Sequence, residues 1–289
     1  MNYSIDMIRL SVKVPILKFN RFMSAIDYSR YEEYRRSNLK EFRYNFKISD
    51  TFILEDEFYS WYLAYQHNTE QLSAHRLSAY TLVIEFNPNK VSYNCKILSY
   101  VLKTFFTVPK EVKLVSCDVA IDLYNVHIDD VLFDKNRKRK YMLFSGVEGK
   151  SIYFGNRGSN GHVKIYDKGA EQKSDKVWTR YEVHLTFKDL YLHKILGHGF
   201  KIDVNLPVIM FDSGQEKIIE DAKVKACLFA IRQGYMTIND FPRVFREKIK
   251  PYLEDTVSLK IDNGNIDEFH KIIITFIENY YNTFCVHLL

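Results

Sequence analysis

The chain has few cysteines, and they form neither a metal site nor a disulfide framework. Only four occur in 289 residues, with no Cys-x-x-Cys pair and no Cys/His group. Cysteines spaced in this way are typical of reduced core residues. They are Cys95, Cys117, Cys227 and Cys285.

Long apolar segments are also absent. No run approaches the roughly 18 to 20 residues that a transmembrane helix needs. The opening residues, MNYSIDMIRLSVKV, alternate polar and apolar side chains and lack the apolar stretch of a signal peptide. Hydrophobic residues make up 46% and charged residues 27% of the chain, which is ordinary for a globular protein. We therefore expect a cytoplasmic protein with no membrane partner.

Aromatic and basic residues, by contrast, are plentiful. The chain contains 21 Tyr and 21 Phe and carries a formal net charge of +5. Most of the rings must pack in the core, although some could stack on unpaired bases. The positive charge is compatible with a nucleic-acid partner without establishing one.

The hydrophobic periodicity predicts an α+β fold. Alternating patterns predict strands at 4–14, 42–49, 58–67, 79–86, 112–124, 151–156, 161–168 and 178–187. Helical patterns predict helices at 16–38, 92–106, 213–233, 237–249 and 263–283. This order is typical of a largely antiparallel sheet with helices packed on one face. The change to helices predicts an α+β region over 1–195 and a mainly helical region over 196–289.

Two carboxylates share one face of the strand predicted at 112–124. The period-2 rule puts Asp118 and Asp122 opposite Cys117, Val119 and Ile121. Their Cα atoms would be roughly 13 Å apart, too far for an acid/base pair. For this segment alone, a solvated sheet face is the favoured interpretation.

A tyrosine among charges follows a Gly/Asn/Ser turn. In HVKIYDK, Tyr166 lies between Lys164 and Lys168, so it lacks the apolar neighbours that a core tyrosine usually has on its own face. The ordinary interpretation is a half-exposed strand tyrosine. The alternative is a nucleophile.

The next strand, WTRYEVHLTF, places Arg180, Glu182 and His184 on one face. Pairing it with the Tyr166 strand would bring these side chains close to the tyrosine. One interpretation is a surface ladder of charges. The other is a reaction site in which carboxylates hold a divalent cation, the cation polarises a phosphate, and the tyrosine attacks it. Lysine and arginine would offset the charge on the phosphate.

These motifs, in this order, resemble a known family. SCDVAIDL, YFGNRGSNGHVKIYDKGAEQ and WTRYEVHL are similar to the Rep_trans replication initiation factors. These are initiators of Gram-positive rolling-circle plasmids, and relaxases of some integrative conjugative elements are related to them. The resemblance is clear over about 110–190, and IDMIRL fits the opening strand of the family.

The resemblance implies a metal-dependent DNA nicking and joining enzyme. Such a protein nicks one strand at a plasmid origin, stays attached to the 5′ phosphate through tyrosine, and leaves a 3′ hydroxyl. The phosphotyrosine ester conserves the free energy of the phosphodiester, so the strand can be resealed without a nucleotide cofactor. The expected partners are double-stranded origin DNA, single-stranded DNA and a host helicase, with a homodimer as one option.

The resemblance also assigns roles to residues. The nucleophile is Tyr166, the phosphate-side helpers are Lys168 and Arg180, and the ligands of Mg²⁺ or Mn²⁺ are Asp118, Asp122 and Glu182. A His-hydrophobic-His motif is absent, so oxygen ligation is expected, with His184 as an optional extra ligand. The rival tyrosines are Tyr124, Tyr153 and Tyr181, of which Tyr181 is expected in the core.

Further basic residues are candidates for DNA contacts. Five of the six residues from Lys135 to Lys140 are basic, which is typical either of a solvated charge run or of a phosphate-binding loop. The residues expected to contact DNA are Arg137, Lys138, Arg139, Lys140 and, in the GNRGSNG hairpin loop, Arg157. The stretch 232–250 loosely resembles a helix-turn-helix, for origin recognition or self-association, although a packed amphipathic cap is the favoured interpretation.

Two other functions remain open from the sequence. One is a conjugative relaxase with the same chemistry. The other is a non-catalytic DNA-binding protein in which the tyrosine and the carboxylates are structural.

Overall fold

The structure is a computed structural model that describes residues 1–25, 53–55, 61–68, 79–91, 96–133, 140–146, 149–211, 221–232, 235–254 and 259–284. Its strands are β1 (Asn2–Pro15), β2 (Ile53–Glu55), β3 (Trp61–Asn68), β4 (Ala79–Phe86), β5 (Lys113–Tyr124), β6 (Val131–Phe133), β7 (Tyr141–Gly146), β8 (Gly149–Phe154), β9 (His162–Asp167), β10 (Trp178–Tyr191), β11 (Ile209–Phe211) and β12 (Leu259–Ile261). Its helices are α1 (Ile16–Ala25), α2 (Lys96–Phe105), α3 (Lys168–Glu171), α4 (Leu192–Leu196), α5 (Ala222–Arg232), α6 (Arg243–Glu254) and α7 (Ile266–Phe284).

The chain divides into two compact units. Unit 1 comprises Met1–Tyr3, Ala120–Val183 and Asp203–Phe269, and unit 2 comprises Ser4–Val119, His184–Ile202 and His270–Leu289. Strands β5 and β10 each contribute one end to each unit. The functional division predicted between 195 and 196 stays a prediction.

Unit 2 is built on the strand order β2-β3-β4-β1-β5-β10. The β1–β4 pair is antiparallel, with Ile8 opposite Phe86. The alternating apolar residues Ile8, Leu10, Val12 and Val14 of β1 are buried, as a strand face that lies against the core requires. Phe22 of α1 and Phe105 of α2 meet edge to face with ring centroids 4.8 Å apart, which packs these helices together.

Unit 1 is built on the strand order β5-β10-β9-β8-β7, with a second sheet in the order β12-β11-β6. The β7–β8 and β8–β9 pairs are antiparallel. Helices α5 and α6 enclose a small core of Val224, Leu228 and Ile249. This unit carries the tyrosine and most of the residues predicted to act with it.

The predicted α+β class is confirmed, with antiparallel strands and packed helices. The strands predicted at 4–14, 79–86, 112–124, 161–168 and 178–187 are all present, most within a few residues of their expected ends. The strand predicted at 42–49 lies outside the described residues. Of the helices in the described part of the chain, none combines the length and the apolarity that a membrane span requires.

Candidate active site

Tyr166 lies near the end of β9, beneath charged side chains. Its hydroxyl is 3.4 Å from Oε2 of Glu182 on β10, and the ammonium of Lys164 stands 3.9 Å from the centre of its ring. A second ammonium, that of Lys168, is 5.5 Å from the same ring. Cations over an aromatic face are attracted by its quadrupole, which holds the ring in place. The predicted approach of the tyrosine to Glu182 is confirmed.

The side chain of Tyr166 is only 4% exposed, so the half-exposed interpretation is wrong. The ammonium groups of Lys164 and Lys168 lie over the ring rather than leaving it open to solvent. The period-2 pattern gives the face of the strand but not what covers that face.

A tight hairpin positions this strand. β8 and β9 pair antiparallel, with Ser151 opposite Tyr166, and the loop between them contains three glycines at positive φ. A positive φ favours glycine, because glycine has no Cβ to clash with the backbone in that conformation. The hairpin loop expected from GNRGSNG is therefore confirmed.

The short helix α3 fixes the residues after the tyrosine. Asp167 is its N-cap and accepts a hydrogen bond from the backbone N–H of Ala170 at 2.8 Å. A Cβ on Gly169 would clash with the carbonyl oxygen of Lys176, so only glycine allows this close approach. Local structure therefore accounts for Asp167 and Gly169, two of the four residues in the YDKG segment.

Lys168 is buried and forms an ion pair with Glu171 within α3. Burial raises the pKa of the Glu171 carboxyl, but the hydrogen bond and charge of Lys168 outweigh burial and, with Gln172 and Lys164, lower the pKa below its usual value. Glu171 therefore stays ionised and holds the Lys168 ammonium beside the tyrosine. The sequence analysis did not single out Glu171.

Asp122 and Arg180 form a buried ion pair. Arg180 donates to both carboxylate oxygens, from Nε at 2.7 Å and from Nη2 at 2.9 Å, and the indole N–H of Trp178 donates to Oδ1 at 3.0 Å. The two side chains are buried, so the solvated face expected for β5 is wrong at Asp122. Bidentate geometry makes this a strong pair. The expected roles of Asp122 at a metal and of Arg180 at a phosphate stay predictions.

We expect Asp122→Ala to lower the free energy of unfolding by about 3–5 kcal/mol, because it leaves the buried Arg180 charge without its carboxylate. Urea denaturation measures the loss. The matched control is Lys150→Ala, which breaks the exposed Lys150–Asp129 pair at 2.6 Å and should cost about 0–1 kcal/mol. Equal effects for the two variants would contradict a structural role for the buried pair.

The other predicted carboxylate, Asp118, pairs with His184 in unit 2. Its Oδ1 lies 2.5 Å from Nδ1 of the imidazole. Among the described residues, no three His, Cys, Asp or Glu side chains are grouped closely enough to hold a metal ion. Since Asp122 already faces Arg180, the side chains as arranged do not fit a ready-made cation site. Metal binding by Asp118, Asp122 and Glu182 stays a prediction.

The residues predicted to contact DNA are only partly described. Arg137, Lys138 and Arg139 lie outside the described residues. Lys140 is exposed immediately before β7, and Arg157 is exposed in the β8–β9 loop. Both are therefore available to a nucleic-acid backbone.

The rival tyrosines differ in their surroundings. Tyr181 is fully buried, as expected for a core residue. Tyr124 is exposed and packs on Trp178 with ring centroids 5.3 Å apart. Tyr153 lies on β8, beside Phe144 of β7. The hydroxyl of Tyr166, by comparison, contacts Glu182.

The stretch 232–250 contains a 3-10 helix, Ile238–Asp240, between α5 and α6. The backbone N–H of Thr237 donates to the Asp240 carboxylate at 2.6 Å, and hydrogen bonds from Thr237 lower the pKa of Asp240. The two helices pack through Leu228 and Ile249. This arrangement favours the packed amphipathic cap, and a role in origin recognition or self-association stays a prediction.

Comparison with known proteins bears on the central part of the chain. No curated protein sequence matches it. A solved structure, the rolling circle replication initiator protein from Geobacillus stearothermophilus, aligns with 14% identity over 81% of this chain and 97% of its own, with a TM-score of 0.35. That score is too low to establish a shared fold.

The family comparison is more specific. Residues 116–203 match the family model of replication initiation factors, Rep_trans. This segment runs from β5 past α4 and contains both the Tyr166–Glu182 contact and the Asp122–Arg180 pair. The resemblance read from the motifs is therefore confirmed over residues 116–203, which are similar in sequence to the Rep_trans replication initiation factors.

Proposed function

We propose that this protein is a rolling-circle replication initiator, which cuts and rejoins one strand of a plasmid origin through Tyr166. The observation that carries the proposal is the contact of the Tyr166 hydroxyl with Glu182, 3.4 Å away, beneath the Lys164 ammonium. This contact lies within the segment that matches the replication initiation factors. It joins an oxygen nucleophile, a proton acceptor and a cation in one place.

The chemistry is a transesterification. The phenol oxygen attacks the phosphorus, and a reference pKa of about 10 for a phenol means that a base must take its proton at neutral pH. Glu182 is the acceptor. A bond forms between Oη and phosphorus, the bond to the 3′ oxygen breaks, and that oxygen leaves as a hydroxyl after gaining a proton. Attack by a 3′ hydroxyl on the phosphotyrosine reverses the step and rejoins a strand.

The nearby lysines would offset charge as it develops on the phosphate. Lys164 and Lys168 already flank the ring, and a fixed cation next to a reacting phosphate is an efficient source of stabilisation. The 3.4 Å hydrogen bond is long, as catalytic hydrogen bonds often are before substrate binds.

The cation and the partners complete the proposal. The family resemblance implies Mg²⁺ or Mn²⁺, a cation that would polarise the phosphate. Glu182 is the acidic residue beside the tyrosine, and the metal part of the proposal is supported by the resemblance. Origin DNA, single-stranded DNA, a host helicase and a homodimer are proposed on the same ground.

The test is direct. Supercoiled plasmids carrying candidate origins are incubated with the protein and Mg²⁺ or Mn²⁺, and the mixture is denatured with detergent. We expect nicked circles and a protein–DNA adduct whose nucleotide-bearing peptide, identified by mass spectrometry, contains Tyr166. Absence of an adduct with every origin tested contradicts the proposal.

The basic segment from Lys135 to Lys140 gives a second test. Replacing Lys138, Arg139 and Lys140 by Gln should weaken binding to all DNA sequences alike. The slope of log K against log salt should flatten by about one unit for each phosphate that is no longer neutralised by a basic side chain. The control replaces Lys103 and Lys110, two exposed lysines outside unit 1, and should leave the slope unchanged. If the slope is unaltered in this variant, the basic segment is a solvated run of charges that does not contact DNA.

A further inference from the structure

Strand β7 exposes three apolar side chains in a row. Met142, Leu143 and Phe144 are all exposed, with Phe144 at 54% and Leu143 at 50%, and β7 ends the strand order of its sheet. Edge strands are usually protected by charge or by short length. An exposed apolar run on an edge strand is therefore typical of a binding surface.

The strand register puts Phe144 on the same sheet face as the tyrosine. Phe144 is opposite Ser151, and Ser151 is opposite Tyr166. Directly opposed residues point to the same side, so Phe144 and Tyr166 are separated by two strand spacings, about 10 Å. Leu143, the next residue along β7, points to the opposite face.

Two more rings continue from Phe144 across this face. Phe144 meets Tyr153 edge to face with ring centroids 5.3 Å apart, and Tyr153 stacks on His162 at 5.9 Å. Tyr153 is opposite Lys164, the lysine that stands over Tyr166. On this face the exposed ring of Phe144 is therefore followed by the half-buried ring of Tyr153, the cation of Lys164 and the buried Tyr166.

We propose that Phe144 and Tyr153 form a stacking platform for unpaired bases of single-stranded DNA beside Tyr166. Aromatic rings together with basic side chains are how proteins hold single strands without reading sequence, because every base has a face to stack. A stacked strand advances about 3.4 Å per nucleotide, so 10 Å corresponds to about three nucleotides. The platform would grip bases about three nucleotides from the reacting phosphate.

The occupant is DNA rather than a second copy of the chain because Phe144 and Tyr153 share their face of the sheet with the Lys164 cation. Two copies joined along the β7 edge would pair backbone to backbone and would use Leu143 as much as Phe144. Lys164, which follows these rings on the same face, could pair with a phosphate of the DNA backbone. This inference rests on the proposed function, since it takes Tyr166 as the point where the strand is cut.

The test measures binding of a fluorescein-labelled oligothymidylate by fluorescence anisotropy. Phe144→Ala should weaken binding on the order of tenfold, whereas Phe144→Tyr, which keeps a ring, should bind like the unaltered protein. Leu143→Ala is the matched control, because it truncates an equally exposed side chain of the same strand on the other face. Its affinity should not change.

Two results would overturn the platform. The first is unchanged affinity in Phe144→Ala. The second is an equal loss in Leu143→Ala accompanied by dissociation of a dimer in sedimentation, which would make β7 a contact between copies. The adduct assay separates this failure from that of the proposed function. If the adduct forms at Tyr166 and Phe144→Ala binds the oligonucleotide normally, only the stacking platform is contradicted. If the unaltered protein forms no adduct, the proposed nicking reaction is contradicted.

Discussion

Tyr166→Phe should bind origin DNA about as tightly as the unaltered protein and yet form no covalent adduct and no nicked circles. The change deletes one oxygen and keeps a ring that is packed beneath Lys164 and Lys168. Shape-conserving changes in a packed position usually cost less than about 1.5 kcal/mol. The hydrogen bond to Glu182 that the change removes is long, so it adds little to that cost. The adduct is measured on denaturing gels after incubation with supercoiled origin plasmid.

The controls are the rival tyrosines. Tyr153→Phe and Tyr124→Phe remove the same atom from rings that make no hydroxyl contact with Glu182 in the described part of the chain, and both should keep full adduct formation. An adduct that persists in Tyr166→Phe would move the nucleophile to one of these positions. A lowered midpoint of thermal unfolding in Tyr166→Phe, with no change in adduct, would make Tyr166 a structural residue.

The face that each strand residue takes could be predicted from the sequence. Alternation of polar and apolar residues put Tyr181 in the core and Glu182 opposite it, and the structure bears out both positions. The approach of Tyr166 to Glu182 followed from a connection of hairpin length between their strands. A local pattern was sufficient because the two strands are neighbours both in the sequence and in the sheet.

Long-range pairing could not be predicted in the same way. Asp122 and Arg180 are 58 residues apart, and nothing local in either strand shows that one will meet the other. Considered alone, a carboxylate such as Asp122 suits a metal ion and a guanidinium such as Arg180 suits a phosphate, so neither residue indicates that it pairs with the other. Burial of Asp122 by Trp178 and Arg180 depends on the order of strands, which the periodicity does not contain.

The short elements were missed for a different reason. Strands β6, β11 and β12 have three residues each, too few to show an alternation. Strand β7 was missed because its exposed apolar residues lie next to one another instead of alternating with polar ones. That departure from the pattern is the feature on which the stacking platform is based.

Glu182→Gln should reduce nicking by about 10²- to 10⁴-fold while leaving DNA binding intact, since the amide keeps the shape but cannot take the phenol proton. The same amide is also a weaker ligand for Mg²⁺ or Mn²⁺, which prefer charged oxygens. EDTA should abolish nicking by the unaltered protein. Glu111→Gln, the same change at an exposed residue outside the site, is the matched control and should remain fully active.

Two titrations separate the roles of Glu182. If it holds the cation, residual nicking by Glu182→Gln should require a higher concentration of Mg²⁺ or Mn²⁺. If it is the proton acceptor, that requirement stays the same, and the fall in rate at low pH seen with the unaltered protein should disappear, because the variant has no carboxylate to protonate. Full activity in Glu182→Gln, with normal dependence on both cation and pH, would remove Glu182 from the reaction and leave its contact with Tyr166 structural.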